Sequence, residues 1–418
     1  MLSSNPLFLF RSRYVRAIFV SSLFSQLGIW IRNFAVLLYV VAETNGDALA
    51  VSLISVAEYA PIFIFSFIGG VFADRWRPKR TMLLCEVLSA LSILPVFGAL
   101  ESGSEAWGVV VLSVFGSSIL SQFAQPSGMK LFKLHMSEEE APLCMSLLQT
   151  LSSVFMVAGP VVGTWVYQQV GVRAALLIVS AAFLLSAAAL ARIPADERKP
   201  RKDAPREAAG RRSSIMQDMK DGFRYVIRSR SLLMLSLCFA VIGLGVGLIT
   251  PLGVFVVTEK LGLPAEGLKW LNIPYGLGEI LGGIAAFGLA AKIPPQRLLI
   301  IGLISNALGI ALVGMSSALW LTMAAQFFVA LLQPAIFIGN QTLVMQHTEP
   351  AYIGRVTGIR SPLMTGSMLL MMSLSGALKH ALQLEALYGI AGFCFLGGFL
   401  MLIPLPQSGN HRSGRPTR

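Results

Sequence analysis

The chain alternates long apolar runs with short polar joins. Apolar residues fill 17–41, 48–72, 81–100, 106–125, 143–168, 173–193, 231–257, 268–290, 298–316, 319–338, 357–378 and 385–403, and polar or turn-forming residues separate them. Most of these runs show no polar face of helical period, so they do not read as amphipathic helices of a soluble core. At 1.5 Å rise per residue, about 20 residues cross a ~30 Å hydrocarbon layer. The pattern therefore predicts an all-α membrane protein with twelve transmembrane helices. The first run follows Arg11, Arg13 and Arg16, as a signal peptide would, but it exceeds the 7–15 residue core of one and is read as an uncleaved first span.

The joins alternate in charge. Arg11, Arg13 and Arg16, then Arg75, Arg77, Lys79 and Arg80, then Lys130 and Lys133, then a dozen cations from Arg192 to Arg230, fall on one side of the alternating topology. Lys292, Arg297, Arg355, Arg360, Arg412, Arg415 and Arg418 fall on the same side. The other side holds Arg173, Lys260, Lys269 and Lys379. This asymmetry predicts both termini in the cytoplasm and a multi-pass protein of the plasma (inner) membrane.

The longest polar stretch lies in the middle. Pro194, Pro200, Pro205 and Gly210 punctuate a charged linker, after which Ser214-x-x-Gln217 has the form of a capping box. Ile215, Met219, Phe223 and Val226 then recur at 3–4 residue spacing, which predicts a short amphipathic helix on the inner membrane surface. The expected organisation is six spans in 1–193, a linker with this helix in 194–230, six spans in 231–403 and a cytoplasmic tail in 404–418. Ser137 and Glu138–Glu140, just before the fifth span, read as a helix cap with favourably placed acids.

Composition agrees. Of 418 residues, 55% are hydrophobic and 13% charged, about half the charge of a soluble domain. The net charge of +12 invites a nucleic-acid partner, but confinement of the cations to one side argues for a lipid surface instead. Cys85, Cys144, Cys238 and Cys394 have no CxxC spacing, and the four histidines are scattered, so neither a metal nor a cofactor is expected. No Gly-rich loop with Lys points to ATP.

Chemistry inside the apolar runs rests on few groups: Arg32, Glu58, Glu86 and Glu279. Each costs roughly 2.5–3.5 kcal/mol at a helix centre, so each is expected to face protein or water. Arg32 and Glu58 lie at similar depth from the outer ends of the first two spans. Two readings stand: a static ion pair locking those spans, or a Glu58 that exchanges its partner for a proton or a cationic solute. Glu279 sits among Gly276, Gly278, Gly282 and Gly283, which permit close helix packing; it is a coupling acid or a hydrogen-bonded packing acid. Glu86, nearer the basic turn, is expected to neutralise it.

That turn, Gly70-x-x-x-Asp74-Arg75-x-x-Lys79-Arg80, resembles the signature loop of the major facilitator superfamily of transporters. Arg77 stands where the family usually has Gly, and Pro78 where it usually has a basic residue, so Pro78 is expected to supply the bend without a positive φ at 77. Displacing the first half by 217 residues places Arg75, Pro78 and Arg80 on Lys292, Pro295 and Arg297. The resemblance implies two pseudo-symmetric six-helix bundles about a central cavity, with Glu58 and Glu279 as one acid per half. It implies that Asp74 holds an inner gate against the start of the eleventh span, near Arg355 and Arg360. Gly159-Pro160-x-x-Gly163 resembles the kinked stretch of this superfamily's antiporters, although Phe155 occupies a usual Gly and the fourth span lacks an Arg. Ser25-Gln26-Leu27-Gly28-x-Trp30-x-Arg32-Asn33 and Asp221-Gly222-Phe223-Arg224-Tyr225-Val226 resemble the macrolide and siderophore exporter branch, with Ile29 in place of an acid.

The function expected from this resemblance is export of an amphipathic small molecule, drug-like or a siderophore, by proton antiport and alternating access in a monomer. Phe34, Tyr59, Phe63, Phe65, Phe239, Phe327 and Phe337 would supply apolar surface for such a solute. Uptake or uncoupled lipid movement by the same fold is the alternative, and a non-transporting membrane sensor is the alternative of another class. A membrane enzyme lacks a paired acid and base, metal ligands or an activated nucleophile.

Overall fold

The structure is a computed structural model, and its description covers residues 12–66, 77–101, 107–135, 140–193, 215–290, 292–349 and 352–403. All regular structure among these residues is helical: α1 Arg13–Glu43, α2 Ala48–Ser66, α3 Pro78–Leu91, α4 Leu94–Glu101, α5 Trp107–His135, α6 Glu140–Ala191, α7 Ile215–Arg228, α8 Arg230–Ile249, α9 Leu268–Ala290, α10 Pro295–Met315, α11 Leu319–His347, α12 Ile353–Ala381 and α13 Leu384–Leu400, with short helical turns from Thr250 to Lys260 and at Ala265–Gly267. Each expected run is helical over its described part. Nine segments among the described residues are long and apolar enough to cross a membrane, Leu143–Ala191 being counted as one.

The local breaks follow from single residues. The third run divides into α3 and α4 because Pro95 cannot donate to Leu91 and its ring crowds that carbonyl. α6 joins the fifth and sixth runs through Gly171, whose φ of 70° and ψ of 176° leave the helical path, a conformation that glycine alone reaches freely. After α8, Pro251 sits in a 3₁₀ turn, and Val256–Lys260 form a π turn. Pro78 opens α3 at its first position behind an extended Arg77 at φ −74°, as the sequence leads one to expect. Pro295 opens α10 in the same way behind Pro294, so the displaced repeat recurs in backbone geometry.

Two compact units emerge, one within 1–203 and 263–273, the other within 204–262 and 274–418. In the first, α1 packs along α6, while α2 and α3 pack on α5. Its core includes Ile31, Val36, Val40, Leu176 and Val179, all almost fully buried. Ser21 of α1 and Ser186 of α6 share a buried hydrogen bond of 2.7 Å. In the second, α10 packs on α11 and α13, and α12 on α8. There Asn306 donates to the Val329 carbonyl, 3.2 Å, and Ser375 to the Leu248 carbonyl, 2.8 Å. Such bonds join helices that have no hydrophobic drive to associate within lipid. The outer faces are apolar: Trp320 is 72% exposed and Phe393 73%, which suits acyl chains rather than water.

The amphipathic helix is α7. Val226 is buried and Phe223 exposed, so the expected apolar stripe divides between protein and surroundings. Tyr225 stacks on Tyr352 at 4.3 Å. Gly222 lies where a Cβ would crowd Ile359 and Arg355, bringing α7 close against α12. Ser214, the linker from 194, the acids Glu138 and Glu139 and the tail from 404 lie outside the described residues.

Candidate transport site

The first unit holds a half-open cavity of about 420 Å³. Its walls come from α1, α2, α3, α5 and α6. On α1, Ile18, Ser21, Ser22, Ser25, Gln26, Ile29 and Arg32 line it. Their spacing of three and four residues is one helical face. Ser117, Ser118, Ser121 and Gln122 of α5, and Met82, Cys85, Glu86 and Ser89 of α3, repeat that spacing. The result is a hydroxyl- and amide-rich hollow inside an apolar bundle.

Arg32 and Glu58 both line this hollow, but neither bonds the other. Arg32 Nε and one terminal nitrogen donate to Asn33 Oδ1, 3.2 and 2.9 Å. Asn33 Nδ2 donates to Glu58 Oε1, 3.1 Å. The other terminal nitrogen of Arg32 donates to Ser117 Oγ, and Ser117 donates in turn to the Ser113 carbonyl, 2.9 Å. The direct ion pair open on sequence grounds is thus a relay through an amide. Arg32 is 6% exposed, and an isolated charge at such a place is costly unless its donors are satisfied.

Glu86 departs from expectation. Its side chain turns into the cavity and accepts from Ser25, 2.9 Å, and it bonds none of Arg77, Lys79 and Arg80, the described cations of the basic turn. It is 8% exposed, and its Oε2 has no hydrogen-bond partner. Gln26 donates to Ser152, 3.1 Å, closing α1 onto α6 on the same side. The aromatic residues expected to line a solute site do not line this cavity; Phe183 supplies its ring. Phe34 is buried in packing, 6.2 Å from Trp30.

Gly159, Pro160 and Gly163 serve packing in this structure. A Cβ on Gly159 would overlap the Trp30 ring, and one on Gly163 would meet the Trp30 carbonyl at 2.8 Å and Phe34 Cβ at 2.9 Å. α6 stays helical through Pro160; its non-helical residue is Gly171.

The second unit holds Glu279 and Arg360 separately. Glu279 lies on α9 with its Oε2 buried and unbonded. Gly278 and Gly282 on either side press against the backbone of Phe327 and Leu331, as small residues allow. Arg360 lies two turns into α12, 5% exposed. It donates to Asn340 Oδ1 and stands 5.2 Å over the Phe239 ring. Asn340 itself donates to the Leu235 carbonyl, 3.3 Å. Arg360 is therefore a buried packing cation here, not a group at the helix mouth as its place in the sequence suggests. Arg355 does lie at that end, 5.3 Å over Tyr352.

Of the basic turn, Gly70, Asp74 and Arg75 lie outside the described residues. Lys79 donates to the carbonyls of Ala191, 3.2 Å, and Ile193, at the end of α6, where a cation complements the helix dipole. Arg80 is exposed. Among the described residues no three His, Cys, Asp or Glu side chains gather as a metal site.

Long apolar helices with lipid-suited outer faces, and charges kept around a polar hollow, define a multi-pass membrane protein built to pass a solute. The pattern of the Major Facilitator Superfamily matches residues 18–289 and 235–417. The chain belongs to that superfamily, and it is a transporter, not an enzyme. It is 25% identical over 408 residues to the uncharacterized MFS-type transporter YkuC of Bacillus subtilis, covering 96% of this chain and 94% of that one. It is 24% identical to the multidrug efflux pump Tap of Mycolicibacterium fortuitum, over 84% of this chain and 85% of that one. It is 22% identical to macrolide efflux protein A of Streptococcus pyogenes, over 88% of each chain. In fold it resembles the nucleoside transporter NupG, with a TM-score of 0.71, 12% identity and coverage of 93% of this chain and 98% of that one. A D-xylose-proton symporter gives a TM-score of 0.68 at 14% identity, covering 94% and 98%.

Proposed function

We propose that the chain exports an amphipathic small molecule across the cell membrane in exchange for protons, by alternating access, with both termini in the cytoplasm. The observation that carries this reading is the polar cavity: Arg32, Asn33 and Glu58 form a relay inside an apolar bundle, and a proton on Glu58 would weaken the bond from Asn33 and remove the charge that offsets Arg32. A carboxyl in such a place can take and lose a proton during a transport cycle. The names of Tap and macrolide efflux protein A support outward movement of drugs. Glu279 is the corresponding candidate of the second unit. Gly70, Asp74, Arg75, Lys79 and Arg80 are proposed as an inner gate, with Arg355 as the partner from α12, since Arg360 is engaged by Asn340.

The test is transport into everted, energised membrane vesicles, with macrolides and siderophores as candidate solutes. Collapse of the proton gradient should abolish accumulation, and Glu58→Gln should give the same loss with the gradient intact. Accumulation that survives both removes proton exchange at Glu58. Movement in the opposite direction would assign uptake.

A further inference from the structure

The two sides of α7 meet different surroundings. Gly222 and Tyr225 turn toward the start of α12: a Cβ on Gly222 would come within 2.8 Å of Ile359 and 3.0 Å of Arg355. Tyr225 stacks on Tyr352, and its hydroxyl oxygen accepts from the Glu349 amide, 3.2 Å. Val226, on the same side of the helix, is 4% exposed. These contacts fix the roll of α7, and at 100° per residue they set its opposite side outward. Phe223 and Ile227 form an apolar row there, 57% and 49% exposed. Lys220, Arg224 and Arg228, also exposed, form a cationic row beside it at i, i+4 and i+8. Among the described residues none of these three cations joins an ion pair, and Asp221 is the single acid between Lys220 and Arg228.

The place of this face narrows its partner. α7 ends at Arg228, and the apolar α8 begins at Arg230, with Ser229 between them accepting from the Leu232 amide as a cap. One residue thus separates the cationic row from a helix long and apolar enough to enter the hydrocarbon. A face at that boundary, apolar along one row and cationic along the next, matches phospholipid: acyl chains take the aromatic and aliphatic side chains, and phosphate takes the cations. We propose that the outward face of α7 binds anionic phospholipid, with headgroups on Lys220, Arg224 and Arg228 and acyl chains on Phe223 and Ile227, and that the bound lipid steadies the start of α12 through Tyr225. Neither the solute nor its driving force enters this binding, which stands or falls apart from proton exchange at Glu58.

The experiment places the full chain in nanodiscs of phosphatidylcholine, alone or with about 30% phosphatidylglycerol, and reads amide hydrogen exchange over 220–228 and 352–359. Phosphatidylglycerol should slow exchange in both stretches about tenfold, because a ligand held by the folded form suppresses opening. About 1 M salt should reverse the slowing. Lys220→Gln, Arg224→Gln and Arg228→Gln combined should exchange like the parent in phosphatidylcholine and lose the response. Removal of three exposed cations elsewhere, by Arg13→Gln, Arg16→Gln and Arg297→Gln, should keep it. Tyr225→Leu should keep the response in α7 and lose it in α12. Equal exchange of the parent in the two discs overturns the proposal and leaves the face to a protein partner. An equal loss in both triple variants overturns it too, since net charge rather than this row is then at work. Slowing of 352–359 that survives Tyr225→Leu overturns the link to α12. Where the α7 triple variant does not fold, slowing of the parent that persists in about 1 M salt overturns lipid binding by this row instead.

Discussion

The two units bury similar charges in opposite ways. In the first, a buried arginine and a carboxylate are joined by one amide: Arg32 to Asn33 to Glu58. In the second, Arg360 has an asparagine oxygen and the face of Phe239, while Glu279 stands on another helix with one oxygen buried and unbonded among the described residues. The aromatic face and the amide offset part of the desolvation cost of Arg360, whose Nε is buried with no hydrogen-bond partner. A cation bridged to an acid can be let go when the acid takes a proton. The difference sets a bridged cation and acid in the first unit against a separated cation and acid in the second.

The contrast breaks most sharply at Asn33. Asn33→Leu removes three hydrogen bonds and leaves Arg32 and Glu58 buried without their link. The expected cost is about 3–5 kcal/mol, read as a fall in the thermal unfolding midpoint in detergent. A loss below about 1 kcal/mol would mean that water or a direct pair replaces the amide.

The glycine seats come next, because they differ in what yields. A Cβ on Gly282 meets the backbone of Leu331, whereas one on Gly159 meets a side chain, the Trp30 ring. Gly282→Ala should therefore cost about 1–3 kcal/mol and Gly159→Ala less, by the same unfolding measurement. The opposite order would show that Trp30 is as fixed as a main chain.

Arg360→Met sharpens the comparison from the other side. It leaves no buried acid behind, since none pairs with Arg360 among the described residues. Asn340 keeps its bond to the Leu235 carbonyl. The expected cost is about 1 kcal/mol, well below that of Arg32→Met, which strands Glu58. Equal costs would deny that the two units differ.

These residues were unequally legible in the sequence. The apolar runs, the Pro78 bend and the meeting of α1 with α2 through Arg32 and Glu58 follow from length, proline geometry and depth. The intervening Asn33 does not, since neighbours in a helix point about 100° apart and only packing shows that Asn33 bonds both Arg32 and Glu58. Glu86 misled because distance along α3 favours the basic turn, whereas its helical face favours Ser25. The signal that finds it is the phase of polar residues: Cys85, Glu86 and Ser89 repeat on α3 the spacing of Ser21, Ser22 and Ser25 on α1.

The smallest effect lies at the exposed helix ends, where the units differ again. The second unit uses ion pairs: Lys260 with Glu385, and Lys379 with Glu259 at 2.8 Å. The first sets Arg173 on the Leu100 carbonyl, 2.9 Å. Glu385 and Glu259 are 43% and 48% exposed, so each pair contributes a few tenths of a kcal/mol and is screened by salt. Lys260→Gln should lower the unfolding midpoint slightly at low ionic strength, and the deficit should fade as salt rises to about 1 M. Arg173→Gln loses a bond to a neutral carbonyl, so its deficit should change less over the same range. A salt response as large for Arg173→Gln as for Lys260→Gln would mean that an acid, rather than the carbonyl, is its operative partner.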